Sequence, residues 1–232
     1  IKITKLQGGI IMNKKIIVPF LLISSMAFAD IQVDSIKKEK NAKDFSYSIT
    51  LPQFKFNGKP MQDLNGAFTN EILTAVRKVT AEGEELKNAG SAAKAENVIN
   101  FKEYKNSFGV ASVVTDNYTY AGGANGMTVL SSYNIDSSNG KILTFDNVFI
   151  RSAKQSFEKG ILQIVKNNKS GKYLSDIENV NLDDAVMYFD GDYIVFKFQQ
   201  YMISPHSSGN PAFRYNKDIV KPFIKYNFNF QK

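Results

Sequence analysis

Cysteine and tryptophan are missing from the 232-residue chain, and histidine occurs once, as His206. Without cysteine, this chain can form no disulfide, no thiolate metal site, no cysteine nucleophile and no lipid anchor on a cleavage-site cysteine. A single histidine excludes a metal site built from several imidazoles. The chemistry that remains is that of carboxylates, hydroxyls and amides, and we expect no cofactor and no metal.

The N-terminal region carries the pattern of a secretory signal peptide. The basic stretch Met12-Asn13-Lys14-Lys15 precedes an apolar run at 16–23, and small residues follow at Ala27 and Ala29. The run is too short to span a bilayer and fades into serines, which favours a cleaved signal over an uncleaved anchor. We expect Sec export, cleavage after Ala29, and a mature protein in the periplasm or outside the cell without stable membrane insertion.

The charge does not indicate nucleic-acid binding. The formal net charge is +7, but Lys2, Lys5, Lys14 and Lys15 lie in the segment that we predict to be removed, which leaves +3. The other lysines alternate with acidic residues rather than forming one basic stripe. No predicted strand is followed by a glycine-rich turn of the dinucleotide-binding or P-loop kind. We therefore expect no nucleic-acid partner and no phosphate cradle.

Hydrophobic periodicity predicts an alternation of strand and helix in the first half. Residues 45–49 alternate with period two and stop at Leu51-Pro52, which indicates a half-buried strand. Residues 61–80 carry apolar side chains every three or four positions, which predicts an amphipathic helix. Residues 81–96 contain glycine and alanine but little apolar periodicity, so they form either a marginal exposed helix or a mobile connection. We expect the least order there.

The second half combines hairpins with one further helix. Residues 97–149 carry β patterns with turn residues at 136–140, and residues 185–201 form another predicted hairpin. A clean alternation at 224–230 predicts a final strand. A helix from 152 to about 168 is predicted to begin with a capping box. The residues of that box and of the buried stripe are Ser152, Gln155, Phe157, Ile161, Ile164 and Val165.

These elements predict an α+β fold, with antiparallel sheets of hairpins and two main helices packed on one face. Short hairpin connections disfavour a doubly wound parallel sheet, because parallel strands need long crossovers.

Two glycine-containing segments resemble motifs of a known family. Residues 118–126, Tyr-Thr-Tyr-Ala-Gly-Gly-Ala-Asn-Gly, resemble the Tyr-x-Gly-Gly-Ala-His-Gly signature of the RsiV-like extracytoplasmic domain. Residues 201–209, Tyr-Met-Ile-Ser-Pro-His-Ser-Ser-Gly, are similar to its Tyr-x-Ile-Ala-Pro-Tyr-x-x-Gly loop. Residues 47–52, with the helix around Asn65, resemble the preceding domain, which also stands at the front of certain peptidoglycan deacetylases.

The resemblance implies an envelope-facing module of two α+β parts. These are a deacetylase-front-like part at 30–149 and an RsiV-like part at 150–232, packed as one unit, after an upstream extension and cleaved signal peptide at 1–29. Some relatives sense lysozyme, and others accompany a deacetylase domain. Asn125 stands where the glycine motif usually has histidine, and His206 stands where the proline loop usually has tyrosine.

The two motif segments supply the candidate ligand-binding residues. Glycines permit close backbone approach, and tyrosines can form flat walls beside them. The alternative for the glycine segment is a tight β connection without a ligand. The candidate residues are Tyr118, Tyr120, Gly122, Gly123, Asn125, Gly126, Tyr201, Pro205, His206 and Gly209.

Two further groups of residues have both a chemical and a structural interpretation. His206 is flanked by Ser204 and Ser207, but neighbours in sequence need not have the geometry of a serine–histidine pair, so we favour an ordinary loop histidine. The acidic residues at 183–184 and 190–192 lack the dense ligand spacing of a calcium loop, and we favour helix-capping and hairpin roles. We therefore predict neither a catalytic residue nor a metal ligand.

We predict an exported cell-envelope binding or sensing module without catalysis. Its partner would be a cell-wall glycan or peptide, or an envelope protein. One alternative is a carboxylate-dependent envelope hydrolase, for which Asp146 and Asp190 are only scattered candidates. Another is a lysozyme-binding protein, although a net charge of +3 offers no general attraction to a basic partner. The sequence does not indicate the oligomeric state.

The signal-peptide pattern predicts the mature N-terminus. Mass spectrometry of protein recovered from outside the cytoplasm is expected to find Asp30 as the first residue, because signal peptidase cuts after a small-x-small pair. An uncleaved chain recovered only from the cytoplasm would contradict export.

Overall fold

A computed structural model of the protein describes residues 30–230, and the predicted signal peptide lies outside the described residues. The α+β prediction is confirmed. The chain forms a six-stranded sheet followed by a three-stranded sheet, with one long helix associated with each.

The first sheet has the order β1-β2-β4-β5-β6, with the two-residue β3 paired to β2. All neighbours are antiparallel except β2 and β4, which are parallel and are connected through a helix. That helix is needed because parallel neighbours require a long crossover. The strands are β1 (Ile31–Asn41), β2 (Phe45–Phe56), β3 (Lys59–Pro60), β4 (Ala95–Tyr104), β5 (Val110–Tyr120) and β6 (Met127–Asp136).

The crossover helix, α1 (Gln62–Asn88), packs its apolar stripe on the first sheet. Phe68 and Ile72 are buried, and the ring of Phe68 lies 6.0 Å from that of Phe54 on β2. The helix continues through residues 81–88, so the helical alternative is the correct one there. Gly83 allows the helix to pack closely against the chain that enters β2, because a Cβ at that position would lie 2.8 Å from the carbonyl oxygen of Asp44.

The second sheet has the order β7-β8-β9 and is antiparallel throughout. Short 3₁₀ helices occur at Leu182–Asp184, His206–Ser208 and Lys221–Phe223. The strands and remaining helices are β7 (Ala185–Asp190), β8 (Tyr193–Phe198), β9 (Ala212–Asn216), α2 (Phe145–Val148), α3 (Ala153–Asn167) and α4 (Lys217–Val220).

The helix α3 packs on this second sheet, so each long helix covers its own sheet. The ring of Phe157 lies 5.2 Å from Phe196 on β8 and 5.0 Å from Tyr215 on β9. Two details of the prediction are wrong. Ile164 is 49% exposed, because it lies beside the buried stripe, and Ser152 adopts helical backbone angles and makes no side-chain cap hydrogen bond.

Strand assignments from the sequence are wrong at four other places. The alternating segment 224–230 has no strand: Ile224 makes a single bridge to Phe149, and Phe228 is buried among aromatic rings. The strands β1 and β9 were not predicted. β2 continues through Pro52. Proline has no N–H to donate, but the pairing of β2 with β4 ends at Ile49, so at Pro52 the β4 side of the strand needs no donor.

The two sheets are joined by a small polar network that is fully buried. The side-chain nitrogen of Asn134 on β6 donates to the carbonyl oxygen of Met187 at 2.7 Å, and the backbone N–H of Phe189 donates to Ser112 Oγ at 2.9 Å. The Ser112 hydroxyl in turn donates to Asn134 Oδ1 at 2.6 Å. These side chains therefore satisfy backbone groups on the free edge of β7.

No helix within residues 30–230 combines the length and the apolar character that crossing a membrane requires.

The packing of α3 predicts a large difference between two apolar side chains of one helix. Phe157→Ala is expected to lower the free energy of unfolding by about 3–5 kcal/mol, because it removes a buried ring from an aromatic cluster. Ile164→Ala, the control on the exposed side, should change it by less than about 0.5 kcal/mol. Chemical denaturation measures both, and equal effects would mean that the helix is oriented differently.

Candidate functional site

The glycine segment, residues 121–126, is the connection between β5 and β6. Successive side chains of β5 point to opposite faces of the first sheet, and Val113 packs on the face that α1 covers. Tyr118 and Tyr120 therefore share the other face with Val114. Both tyrosines are half-buried. They therefore lie on the side of the first sheet that is turned away from α1.

Packing accounts for two of the three glycines. A Cβ on Gly126 would lie 2.3 Å from the ring of Tyr118, so the ring lies directly over this residue. Gly122 has a φ of +86°, and a Cβ there would lie 2.3 Å from Leu86 on α1. At Gly123 the nearest atom would be 4.0 Å away, and Asn125 is exposed. Only the tip of the segment is therefore free of a packing requirement.

The second motif segment, residues 201–209, connects β8 to β9. Tyr201 is 46% exposed with a φ of +66°, and its ring lies 5.6 Å from that of His206. Pro205 precedes the short 3₁₀ helix that begins at His206, and Gly209 ends it with a φ of +64°. The buried hydroxyl of Ser204 donates to the carbonyl oxygen of Gly209 at 3.1 Å. The Ser204 hydroxyl thus closes the loop, and its hydrogen bond goes to Gly209 and not to His206.

Two glutamines connect this segment to β6, close to the end of the glycine segment. Gln200 Oε1 accepts from the N–H of Thr128, and Gln199 Oε1 accepts from the N–H of Leu130, each at 2.8 Å. Gln199 Nε2 also donates to the carbonyl oxygen of Leu130 at 2.9 Å. Between 30 and 230 we find no direct hydrogen bond or ring contact that joins the predicted residues of one segment to those of the other.

A groove lies on the opposite face of β5, between α1 and the strands β4, β5 and β6. Its volume is about 490 Å³, within the range of roughly 300–1,000 Å³ that ligand pockets occupy. Its wall on α1 carries polar and charged side chains, and its sheet side combines amides, a hydroxyl and apolar groups. The lining includes Asn70, Glu71, Thr74, Lys78, Glu82, Asn97, Asn117, Thr119, Met127 and Val129.

Asn97 is the most constrained polar residue of the groove. It is 2% exposed, and its side-chain nitrogen donates to the carbonyl oxygen of Tyr118 at 3.1 Å and to Asn117 Oδ1 at 2.8 Å. A carbonyl can only accept, so the bond to Tyr118 fixes which end of the amide is nitrogen. Asn97 Oδ1 is buried and has no hydrogen-bond partner among the described residues. Leaving such an acceptor without a donor costs about 1–3 kcal/mol.

The electrostatics of the groove come from three charged residues of α1. Burial raises the pKa of the Glu71 carboxyl, and burial together with the nearby Glu71 charge raises the pKa of Tyr133 to about 12. Lys78 and Glu82 form an ion pair at 3.8 Å. Glu71, Lys78 and Glu82 together carry one net negative charge when all three are ionised, and the uncompensated carboxyl is the partly desolvated Glu71.

The other acidic candidates have structural partners. Asp190 pairs with Arg214 at 2.5 Å, and Lys217 and Ser107 donate to Asp192 and lower its pKa. Asn181, rather than an acidic residue, caps the 3₁₀ helix at 182–184 by accepting from the N–H of Asp183. In the described part of the chain, no three His, Cys, Asp or Glu side chains come close enough to hold a metal ion.

Comparison with known proteins relates this region to a named family. Residues 36–128 match the family model of Deacetylase PdaC. The peptidoglycan-N-acetylmuramic acid deacetylase PdaC of Bacillus subtilis (strain 168) is 21% identical over 201 residues. That alignment covers 80% of this chain but 40% of the relative, so the chain spans less than half of the relative's length.

Two solved structures of the DUF3298 family share the fold. A protein from Bacteroides fragilis NCTC 9343 superposes with a TM-score of 0.55 at 17% identity, covering 86% of this chain and 96% of that one. A protein from Pseudomonas aeruginosa PAO1 gives a TM-score of 0.52 at 16% identity, covering 85% and 94%. Residues 36–128 thus resemble the PdaC family model, the two solved structures share the fold, and nearly the whole groove lies within this PdaC-like region, residues 36–128.

Sequence reasoning missed the groove of the PdaC-like region. Asn97 offered one signal, because it occupies an inward position two residues before the buried Ile99, where an apolar residue is usual. Glu71 and Thr119 offered none, since single polar residues on a helix or a strand end are ordinary. The groove is formed by the packing of α1 on the first sheet, so its lining combines residues that are far apart in sequence.

The close contact at Gly126 predicts a difference between neighbouring glycines. Gly126→Ala should displace the ring of Tyr118 and lower the free energy of unfolding by about 1 kcal/mol, near the low end for overpacking because the ring is the movable end of its side chain. Gly123→Ala, the control, should leave the ring in place. The aromatic NMR resonances of Tyr118 report this, and unchanged resonances in the Gly126 variant would contradict the contact.

Proposed function

We propose that the protein is an exported cell-envelope binding or sensing module whose partner is a cell-wall glycan or peptide, or an envelope protein. The observation that carries this proposal is the alignment of 80% of the chain with a protein named as a peptidoglycan deacetylase. The RsiV-like resemblance of residues 118–126 and 201–209 supports the same setting. We also propose that the second part of the chain is RsiV-like.

Two exposed features of the PdaC-like chain suit a binding role. Tyr201 and Met202 are exposed beside His206, on a loop that the buried Ile203 and Ser204 hold in place. Rigidly held aromatic side chains supply contact area at a small cost in conformational entropy. The second feature is the α1 groove, where polar and apolar groups converge in one concavity.

A carboxylate-dependent envelope hydrolase is the second candidate, and Glu71 is the observation that favours it. A carboxyl whose pKa is raised by burial within a groove is a candidate general acid. Hydrolysis of a glycoside needs a second carboxyl, however, and Glu82 is paired with Lys78. The original candidate Asp190 is held by Arg214. We therefore favour binding over catalysis.

The binding proposal is tested by co-sedimentation of the mature protein with purified peptidoglycan and by pull-down from envelope extract. We expect retention in at least one assay, with Tyr120→Ala and His206→Ala weakening it at an almost unchanged melting temperature. The control is Ile219→Ala, which alters a side chain that is 64% exposed outside both motif segments.

Each outcome has a distinct meaning. Absence of retention in both assays would refute the proposed function. Retention that neither loop variant changes would remove the motif segments from the binding surface. Unfolding of both loop variants would show that these residues serve the fold.

A further inference from the structure

We propose that Asn125 is a site of spontaneous deamidation, which converts its side-chain amide into a carboxylate at the tip of the glycine segment. The inference does not depend on the proposed function. It rests on a comparison of the four Asn-Gly pairs of the chain, which begin at Asn57, Asn65, Asn125 and Asn139.

Deamidation of an Asn-Gly pair needs no reactant other than water. The backbone nitrogen of the glycine loses its proton and attacks the side-chain Cγ of the asparagine, and the leaving amide nitrogen takes up a proton and departs as ammonia. Water then opens either carbonyl of the resulting cyclic succinimide and gives aspartate or isoaspartate. Glycine favours the attack because it has no side chain to hinder the approach of its nitrogen. The reaction therefore needs an unhindered glycine N–H and an asparagine side chain that can turn toward it.

The pair at Asn125 meets both conditions. The Asn125 side chain is exposed and makes no hydrogen bond with any residue between 30 and 230. The N–H of Gly126 likewise has no acceptor in the described part of the chain. Gly126 precedes Met127, the first residue of β6, so the pairing of β6 with β5 does not hold it. Nothing has to open before the two groups can meet.

The pair at Asn65 is protected by the helix. Asn65 and Gly66 both lie within α1, and the Asn65 amide donates to and accepts from the backbone of Phe54, each bond being 2.9 Å. Attack on this side chain requires both bonds to open. Each hydrogen bond that must open first slows the reaction roughly fivefold.

The pair at Asn139 is protected at both reacting groups. The N–H of Gly140 donates to the carbonyl oxygen of Asp136 at 2.8 Å. Asn139 Oδ1 accepts from the N–H of Lys141 at 2.9 Å, and its amide nitrogen donates to Asp136 Oδ2 at 3.1 Å. Exposure of this turn therefore does not make it reactive.

The pair at Asn57 is intermediate. It forms the turn between β2 and β3, and the pairing of Phe56 with Lys59 fixes the backbone on both sides. Asn57 Oδ1 accepts from the N–H of Asp30 at 3.2 Å, and the Asn57 N–H donates to the carbonyl oxygen of Asp30 at 3.0 Å. The order of reactivity that the structure assigns is thus Asn125, then Asn57, then the two protected pairs.

Deamidation changes the glycine segment in two ways. It lowers the predicted net charge of the mature chain, +3, by one and places a carboxylate on the segment. The isoaspartate product also inserts a methylene into the backbone directly before Gly126, where a Cβ would lie 2.3 Å from the ring of Tyr118. Isoaspartate is therefore expected to displace that ring, whereas aspartate is not.

The test is peptide mapping by mass spectrometry after the mature protein is incubated in mildly alkaline buffer, where more of the glycine nitrogen is deprotonated. We expect Asn125 to deamidate at least about fivefold faster than Asn57 and at least about tenfold faster than Asn65 and Asn139, because of the bonds that those pairs must open. The matched control is the same protein unfolded in urea, where the four pairs should react at similar rates because the folded-state bonds are absent.

Two variants separate the charge from the added methylene. Asn125→Gln should remove the first acidic species that appears in isoelectric focusing, because glutamine would have to form a larger ring. Asn125→Asp carries the new charge on an unchanged backbone, so the aromatic NMR resonances of Tyr118 should stay in place in this variant and shift in the isolated isoaspartate form.

Three results would overturn the inference. The first is an equal rate at Asn125 and Asn139 in the folded protein. The second is an Asn125 that stays intact in the folded protein while the urea-unfolded protein deamidates. The third is an early acidic species that persists in Asn125→Gln. Retention by peptidoglycan or envelope extract tests the proposed function separately, so the failure of one leaves the other standing.

Discussion

The arrangement of the molecule depends on the buried contact between Ser112, Asn134 and the free edge of β7. The inner edge of β7 has no neighbouring strand, so its backbone groups would lose water without gaining partners. The hydroxyl and the amide from the first sheet supply those partners through two bonds of 2.9 Å and 2.7 Å, and a third bond of 2.6 Å joins the two side chains to each other. This contact places the second sheet against β5 and β6, which in turn brings Gln199 and Gln200 to the outer edge of β6.

Side-chain amides also bridge backbone groups at other contacts between elements, and Asn97 differs from them in its hydrogen bonding. Asn65 on α1 both donates to and accepts from the backbone of Phe54, each bond being 2.9 Å. Gln199 does the same with Leu130. Asn97 is more deeply buried than these two half-buried amides, but only its nitrogen is hydrogen-bonded. An amide with both atoms bonded stabilises the contact that it bridges, whereas the unpartnered buried oxygen of Asn97 costs stability.

The sequence allowed accurate prediction where one periodic pattern coincided with one buried face. The stripes of α1 and α3 are of this kind, as is the β7–β8 hairpin. Prediction from the sequence failed for β1, because this strand is rich in lysine and exposes most of its side chains, so its apolar and polar residues do not alternate regularly. It also failed at residues 224–230, where aromatic alternation reflects packing of Phe228 against Phe108 and not a ladder. The motif segments were visible locally, but the groove depends on contacts between residues far apart in sequence.

The two outer edges of the first sheet are blocked by different means. On β6, glutamine side chains occupy backbone groups of Thr128 and Leu130. The edge strand β1 carries Lys37, Lys38 and Lys40. Pairing of a further strand with β1 would dehydrate these lysines, and a second copy of β1 would also bring its own lysines close to them. The sheet thus resists lateral growth, either into fibrils or by capture of a passing strand. At these two edges, a second chain can therefore be selected by contacts with side chains but not by the generic hydrogen bonding of a polypeptide backbone.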